Sequence, residues 1–239
     1  MLAKLLTLLP SSCALCGEHG NQVLCPSCRQ RFISLKSSRC TQCALPLPAN
    51  AAGLAVRAHC GACLQDAPAF DQTVVACNYA APLDQLVLNL KFAHQLALAP
   101  VFAGLLRDAI LEQRGLALPD MLSVVPLGEA RLAERGFNQA LEIAKPLGRQ
   151  LGIDVLPQLL HRSRETARQS SLHPDDRQKN VRNAFMLAPT ALDLVKGRHI
   201  GIVDDVMTTG TTLHEIAGML KRFGAAKVSN YVFARTLPH

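Results

Sequence analysis

Two adjacent carboxylates, Asp204 and Asp205, follow directly on the apolar run Ile200-Gly-Ile-Val203. A loop of small hydroxyl residues around one glycine comes next, Thr208-Thr-Gly-Thr-Thr212, and a helical pattern opens behind it. An acidic pair in that position stands where the chain leaves a buried strand. A solvated charged turn would not need four mostly apolar residues to deliver it. The C-terminal ends of parallel strands are where open α/β sheets place their ligands. Gly210 can take the positive φ of a tight loop, and the free N–H groups and hydroxyls of Thr208, Thr209, Thr211 and Thr212 can surround a phosphate. The helix behind the loop points its N-terminal dipole at the same anion. Carboxylates for sugar hydroxyls beside a loop for phosphate suit a sugar phosphate.

A second chemistry lies at the other end of the chain. Eight of the nine cysteines form four C-x-x-C pairs, Cys13/Cys16, Cys25/Cys28, Cys40/Cys43 and Cys60/Cys63. Two thiolates three positions apart on a tight knuckle face one tetrahedral ion, and two knuckles complete a four-cysteine zinc site. A disulfide framework fits poorly with a chain that otherwise reads as cytosolic. A redox C-x-x-C has no need of four copies. Two structural zinc ions follow. Sequential pairing (Cys13/Cys16/Cys25/Cys28 and Cys40/Cys43/Cys60/Cys63) gives two stacked zinc ribbons, and interleaved pairing gives a cross-braced module. Sequential pairing is favoured because each ribbon closes on itself. His19 and His59 stand close enough to substitute, although most such histidines are bystanders. A module this small has little apolar core, so zinc should supply much of its folding energy. Cys77, in the strand-like run Thr73–Tyr79, reads as an inert buried thiol.

The elements that must position these groups begin with a change of composition near Phe70. The chain has 239 residues, of which 49% are hydrophobic, enough for a substantial core. Residues 1–66 are expected to form the cysteine-rich module and residues 67–239 an α/β domain. Strands are predicted at Thr73–Tyr79, Met121–Val125, Ile153–Leu156, Gly197–Val203 and Lys227–Ala234. Helices are predicted at Leu83–Phe92, Ala99–Gln113, Gln139–Leu151, with an irregularity at Pro146, and Leu213–Phe223. This alternation implies a mostly parallel sheet with helices on both faces.

Charge is uneven. The formal net charge is +7, with six Lys/Arg against two acids in residues 1–66 and nineteen against sixteen in the rest. The excess in the module fits an anionic partner such as nucleic acid, or ordinary solubility charge. Trp is absent and there are two Tyr, so base-stacking platforms are scarce. The apolar opening Met1–Leu9 is too short to span a membrane and lacks a signal-peptide cleavage region. It reads as an amphipathic segment packed on the body, and the protein is expected in the cytoplasm with no membrane span.

Val203-Asp-Asp-Val-Met-Thr-Thr-Gly-Thr-Thr212 resembles the phosphoribosyl pyrophosphate (PRPP) motif of type I phosphoribosyltransferases. That resemblance implies ribose-hydroxyl binding by Asp204 and Asp205, and 5′-phosphate binding by Thr208–Thr212. The run Val124–Gln139, with its Arg135-Gly-Phe-Asn-Gln139 core, and the four upstream cysteine pairs resemble the ComF family, which includes competence proteins and GntX-type proteins. Leu90-Lys91-Phe92, Asn138-Gln139 and Arg182-Asn183-Ala184-Phe185 add to the match, which covers essentially the whole chain. It implies a type I phosphoribosyltransferase-like sheet preceded by a double zinc ribbon. It also makes Arg131 and Arg135 candidates for the pyrophosphate, against the plainer reading of a solvated helix face. The basic segment His161–Arg182 falls where that class carries a mobile lid, and Arg168 is its candidate catalytic cation. Lys91 is another cation near a helix end that can reach the site, although a surface lysine is the favoured reading.

The implied reaction is displacement of pyrophosphate from C1 of PRPP, with Mg2+ bridging pyrophosphate and ribose oxygens. The implied setting is natural competence or DNA uptake and utilisation. Two readings of other classes stand beside it. The zinc module and basic lid can hold single-stranded DNA, alone or with a competence helicase, in a strongly salt-dependent way. Alternatively the site can sense PRPP without turnover, since the sequence supplies no clear acceptor pocket.

Overall fold

The computed structural model describes residues 11–33, 38–48, 58–113, 115–163 and 184–237. The segment Met1–Leu9 lies outside them. So does most of the basic stretch after Ser163, Arg168 included.

The chain opens with a two-residue ladder, β1 (Ser11–Ser12) antiparallel to β2 (His19–Gly20), which holds the first cysteine knuckle between its strands. The helix α1 (Pro26–Phe32) follows, with Cys25 as its N-cap. The second knuckle, Cys40 to Cys43, is followed by α2 (Gly61–Gln65), whose N-cap is Cys60. In both cases the later C-x-x-C pair opens a short helix. At α1 the N-cap sulfur accepts a backbone N–H that a helix start leaves unpaired, whereas Cys60 makes no such bond at α2. Cys25 Sγ accepts from Cys28 N at 3.5 Å.

The second part alternates strand and helix: β3 (Gln72–Asn78), α3 (Leu83–Phe92), α4 (Leu98–Leu111), β4 (Met121–Val124), α5 (Glu129–Arg135) and α6 (Gln139–Leu151). A small ladder, β5 (Leu160–Arg162) against β6 (Phe185–Leu187), precedes α7 (Leu192–Val195). Then come β7 (His199–Met207), α8 (Thr211–Arg222) and β8 (Lys227–Arg235). The four long strands pair in the order β3-β8-β7-β4, and every pairing is parallel. Strands β7 and β8 are buried along nearly their whole length, as expected for a parallel sheet covered on both faces.

Helix α6 matches its predicted bounds, and Pro146 does not break it. Asn138 starts this helix by accepting from Ala140 N at 2.9 Å. Gly152 ends it with φ 69°. The predicted strand Ile153–Leu156 is only a parallel bridge, Val155 with Leu122. There Leu156 N donates to Leu122 O at 2.7 Å, and no second partner strand extends the pairing among the described residues. Helix α8 begins two residues earlier than predicted, so Thr211 and Thr212 form its first turn.

Two apolar cores lie on opposite faces of the sheet. One joins α3, α4 and α6 to Val74, Leu122, Val203, Tyr231 and Phe233, and the first cysteine cluster adds Cys13 and Cys28, with Leu24 beside them. The other joins α8 to Val75, Ile202 and Val232, and the second cysteine cluster adds Cys40, Cys43 and Cys63. The cysteine-rich part therefore straddles the β3 edge and contributes to both faces. It also occupies part of that edge: Thr73 N donates to Thr41 O at 3.0 Å, and Arg39 Nη2 donates to Asn78 Oδ1 at 2.6 Å. An uncovered parallel edge would be a template for unwanted strand pairing.

Candidate functional site: an acidic pair, a threonine loop and two cysteine clusters

The strand β7 carries both aspartates, and its pairing with β8 runs past them to Met207. The sequence placed them at the strand end. The ladder continues because β8 extends alongside to Arg235. Successive side chains of a strand point to opposite faces. Asp205 therefore faces the same way as Val203, toward α3 and α6. Asp204 faces the other way, and its Oδ1 accepts the backbone N–H of Asp205 at 2.9 Å.

Asp205 is buried, and its carboxylate pairs with the ammonium of Lys91 at the end of α3. Gln139 Nε2, at the start of α6, donates to its other oxygen at 3.3 Å. Gln139 Oε1 in turn accepts from Arg135 Nη1 at 2.5 Å. The Arg135 guanidinium also lies over the Phe92 ring, 5.2 Å from its centroid. Three separated sequence motifs thus meet at one carboxylate. Lys91 is not the surface lysine expected from its helix-end position, because its side chain is only 21% exposed. Nothing in the sequence marks Gln139 as a contact of the acidic pair, although it is the last residue of the Arg-Gly-Phe-Asn-Gln run. Arg131 sits one turn before Arg135 on α5.

The two aspartates titrate in opposite directions. Burial, and then the charge of Asp205, push the Asp204 carboxyl well above the usual carboxylate range. Burial acts upward on Asp205 as well, but Lys91 and the Gln139 amide outweigh it and hold Asp205 below its ordinary value. Near neutrality the site therefore holds one firmly ionised carboxylate and one whose charge is disfavoured until a donor or cation reaches it.

The threonine loop follows at once. Gly210 has φ 86° and caps α8. A Cβ there would lie 2.5 Å from Met207 Cε, so glycine is required by conformation and tight in space. Thr209 Oγ1 and Thr211 Oγ1 are 2.8 Å apart. The backbone carbonyls at the loop start are held from behind by Arg235, the last residue of β8. Its Nη1 donates to Met207 O at 3.1 Å, to Thr208 O and to Thr236 O at 2.8 Å. Arg235 is buried, and no sequence pattern marked it.

The cysteines fall into two clusters, Cys13/Cys16/Cys25/Cys28 and Cys40/Cys43/Cys60/Cys63, with all four Sγ atoms of each within 4.8 Å of one another. Four sulfurs at about 2.3 Å from a tetrahedral zinc ion stand about 3.8 Å apart. The Sγ separations of 3.7 Å for Cys16/Cys25 and 3.5 Å for Cys43/Cys60 fit that geometry. These are two four-cysteine zinc-binding sites, paired sequentially. Cys40 is drawn down to about 4, first by the hydrogen bond from Cys43, whose own thiol is pushed up. Four ionised thiolates at such distances need a cation between them. Cys77 is buried, and burial pushes its thiol up to about 12.

Residues 5–67 match the double zinc ribbon domain family, and residues 138–237 match the phosphoribosyl transferase domain family. Over 237 residues the chain is 38% identical to the DNA utilization protein YhgH of Escherichia coli (strain K12), covering 96% of this chain and 99% of that one. Competence protein F of Haemophilus influenzae is 34% identical over 215 residues, covering 89% and 90% of the two chains. The chain belongs to the competence protein F and DNA utilization protein family. Among solved structures, the glutamine PRPP amidotransferase of B. subtilis is 20% identical and covers 57% of this chain and 26% of that one, with a TM-score of 0.38. In this family member the phosphoribosyl transferase match contains Gln139, both aspartates, the threonine loop and Arg235, while Lys91 and Arg135 reach the same site from before it. Among the described residues, no helix is long and apolar enough to cross a membrane.

Proposed function

We propose that the acidic pair and the threonine loop bind PRPP together with Mg2+, in a cytoplasmic protein that acts in DNA uptake and utilisation. The observation that carries this reading is the convergence of Lys91 and Gln139 on Asp205, with Arg135 bonded to Gln139 behind them, immediately before a glycine-capped loop. In it, Asp204 and Asp205 accept the ribose hydroxyls. The N–H groups and hydroxyls of Thr208, Thr209, Gly210, Thr211 and Thr212 take the 5′-phosphate at the N-terminus of α8. Arg131 and Arg135 attract the pyrophosphate. A bound Mg2+ supplies further neutralisation of the pyrophosphate charge, and Asp204 has the disfavoured negative charge that a cation or hydroxyl donor relieves. The chemistry available to such a site is displacement of pyrophosphate from C1 of the ribose by a nitrogen nucleophile, with the basic segment around Arg168 closing over the leaving group. We place the division between zinc module and transferase-like domain near residue 66.

The test is calorimetric titration of the zinc-loaded protein with PRPP and Mg2+, repeated on Asp204→Asn/Asp205→Asn. Binding by the wild type that disappears in the double variant supports the reading and justifies a screen of nucleobases for pyrophosphate release. No binding by the wild type refutes it.

The names of the relatives and the basic excess of residues 1–66 favour a second reading, direct binding of single-stranded DNA, alone or with a helicase of the same pathway. Phosphate-dominated binding of that kind weakens steeply with salt. Retardation of single-stranded DNA that is absent at every salt concentration would remove it.

A further inference from the structure

We propose that Arg235 is a positioning residue that couples the second zinc site to the threonine loop, so that the loop is set for an anion only while the Cys40/Cys43/Cys60/Cys63 cluster is metal-loaded. The inference builds on the reading of that loop as the phosphate cradle.

Arg235 is 5% exposed. Its Nε donates to Cys43 O, on the second knuckle, at 3.0 Å. Its Nη1 donates to the carbonyls of Met207, Thr208 and Thr236. One planar group thus ties a zinc knuckle to the first two peptides of the loop. A trans peptide fixes its C=O and N–H in opposite directions. With the carbonyls of Met207 and Thr208 turned inward to the guanidinium, the N–H groups of Thr208 and Thr209 are turned away from it. Arg235 therefore sets the direction of two loop donors, although it stands behind the loop.

A second path joins the same two places. Gln42 Nε2, within the knuckle, donates to Phe70 O at 3.1 Å and to Pro68 O at 3.2 Å. The Phe70 ring packs against Gly210, its Cζ 3.8 Å from the position of a Cβ there. Ala69 N donates to His214 Nδ1 on α8 at 3.1 Å. The knuckle thus supports both the start of the loop and the helix behind it.

The charges agree with the geometry. No ion pair between Arg235 and a carboxylate exists among the described residues. Zinc with four thiolates would carry a net charge of about −2, and the thiols of Cys43, Cys60 and Cys63 already act electrostatically on this buried guanidinium. Among the described residues the first zinc site has no such link. Its sulfurs belong to the opposite core, and its α1 reaches α4 through the Arg29–Asp108 ion pair.

The test compares Cys60→Ser, which disables the second site, with Cys16→Ser, which disables the first. Two further variants, Arg235→Lys and Gln42→Ala, leave all eight cysteines in place. Two quantities are read: amide hydrogen exchange of residues 207–212 without ligand, and affinity for PRPP with Mg2+. Exchange across α6 serves as the internal check of folding. Cys60→Ser is expected to speed loop exchange about tenfold or more, the factor that corresponds to roughly one lost hydrogen bond. It is also expected to weaken PRPP binding by a similar factor. Cys16→Ser is expected to leave loop exchange within about twofold of wild type. Arg235→Lys keeps the charge but loses the fork, and its loop exchange should fall between wild type and Cys60→Ser. Gln42→Ala should loosen Gly210 and His214 with both zinc ions bound.

Equal effects of the two cysteine variants, or loop exchange unchanged in Arg235→Lys and Gln42→Ala, would overturn the coupling. If Cys60→Ser does not fold, those two variants decide alone. A wild type that fails to bind PRPP while the exchange pattern appears would sink the PRPP reading and leave the coupling standing.

Discussion

Asp204 and Asp205 are neighbours in sequence, yet their replacement by Asn should move stability in opposite directions. Asp205 is 5% exposed in its side chain, and its partner Lys91 is 21% exposed. Removing one member of a buried pair costs about 3–5 kcal/mol because the other charge is left uncompensated. Asn keeps the volume and a carbonyl oxygen for Gln139, and Lys91 retains a path to water. The expected loss is therefore about 2–3 kcal/mol. At about 2–4 °C per kcal/mol for a chain of this size, melting should fall by about 4–12 °C. Asp204 carries the opposite sign, since the fold penalises its charge through burial and through Asp205. Neutralising it should stabilise by about 1 kcal/mol, judged from like charges at close range under water-like screening, since Asp204 is only half-buried, or roughly 2–4 °C.

The pH dependence follows from linkage. The folded pKa of Asp205 is depressed, so its contribution is present above the unfolded value of about 3.9 and is lost as pH falls through the folded value. The Asp205→Asn deficit should fade over that acid window. The folded pKa of Asp204 is raised, so its penalty is absent below about 3.9 and grows as pH rises to the folded value. The Asp204→Asn gain should be largest near neutrality and vanish in acid. Scanning calorimetry of the two single variants across this range checks both signs. Shifts of the same sign near neutral pH would refute the assignment of Lys91 to Asp205.

Gly210→Ala should weaken PRPP binding at least about tenfold, because φ 86° strains any residue with a Cβ. Calorimetric titration reads the loss. Gly148→Ala should destabilise the fold by about 2 kcal/mol. Its Cβ would lie 2.6 Å from the backbone Ile153 O, which cannot give way cheaply, and a lowered denaturation midpoint with PRPP affinity unchanged in the folded protein is the expected result. Chelation of zinc should expose the β3 edge now held by Thr41 and Arg39. Concentration-dependent aggregation by light scattering, reversed by added Zn2+, is expected.

The elements that proved legible in the sequence are those whose signal is local. Helix α3 announces itself by the spacing of Leu83, Leu86, Val87 and Leu90, all of them buried. Helix α6 carries its own N-cap in Asn138 and its own stop in Gly152. The cysteine knuckles are legible because ligand spacing is set over three residues of chain. The run Val203–Thr212 holds strand, carboxylates and loop in one stretch, so the kind of ligand it suits could be argued before any fold was drawn. The strand expected at Ile153–Leu156 reduces to a bridge because apolar residues with β propensity form a ladder only where a partner lies alongside, and here the partner is a single residue of β4.

The sequence alone determined the cysteine chemistry, the parallel α/β class and the threonine loop with its acidic pair, because each depends on residues close together in the chain. Tertiary structure decided which charges act on that pair. Lys91 stands at the end of one helix and Gln139 at the start of another, and only the packing of α3 and α6 on the face shared by Asp205 brings them to one carboxylate. It also decided the role of Arg235. A terminal strand arginine looks like any surface cation until β8, β7 and the second knuckle enclose it. Burial then turns its guanidinium to the carbonyls of Cys43, Met207, Thr208 and Thr236.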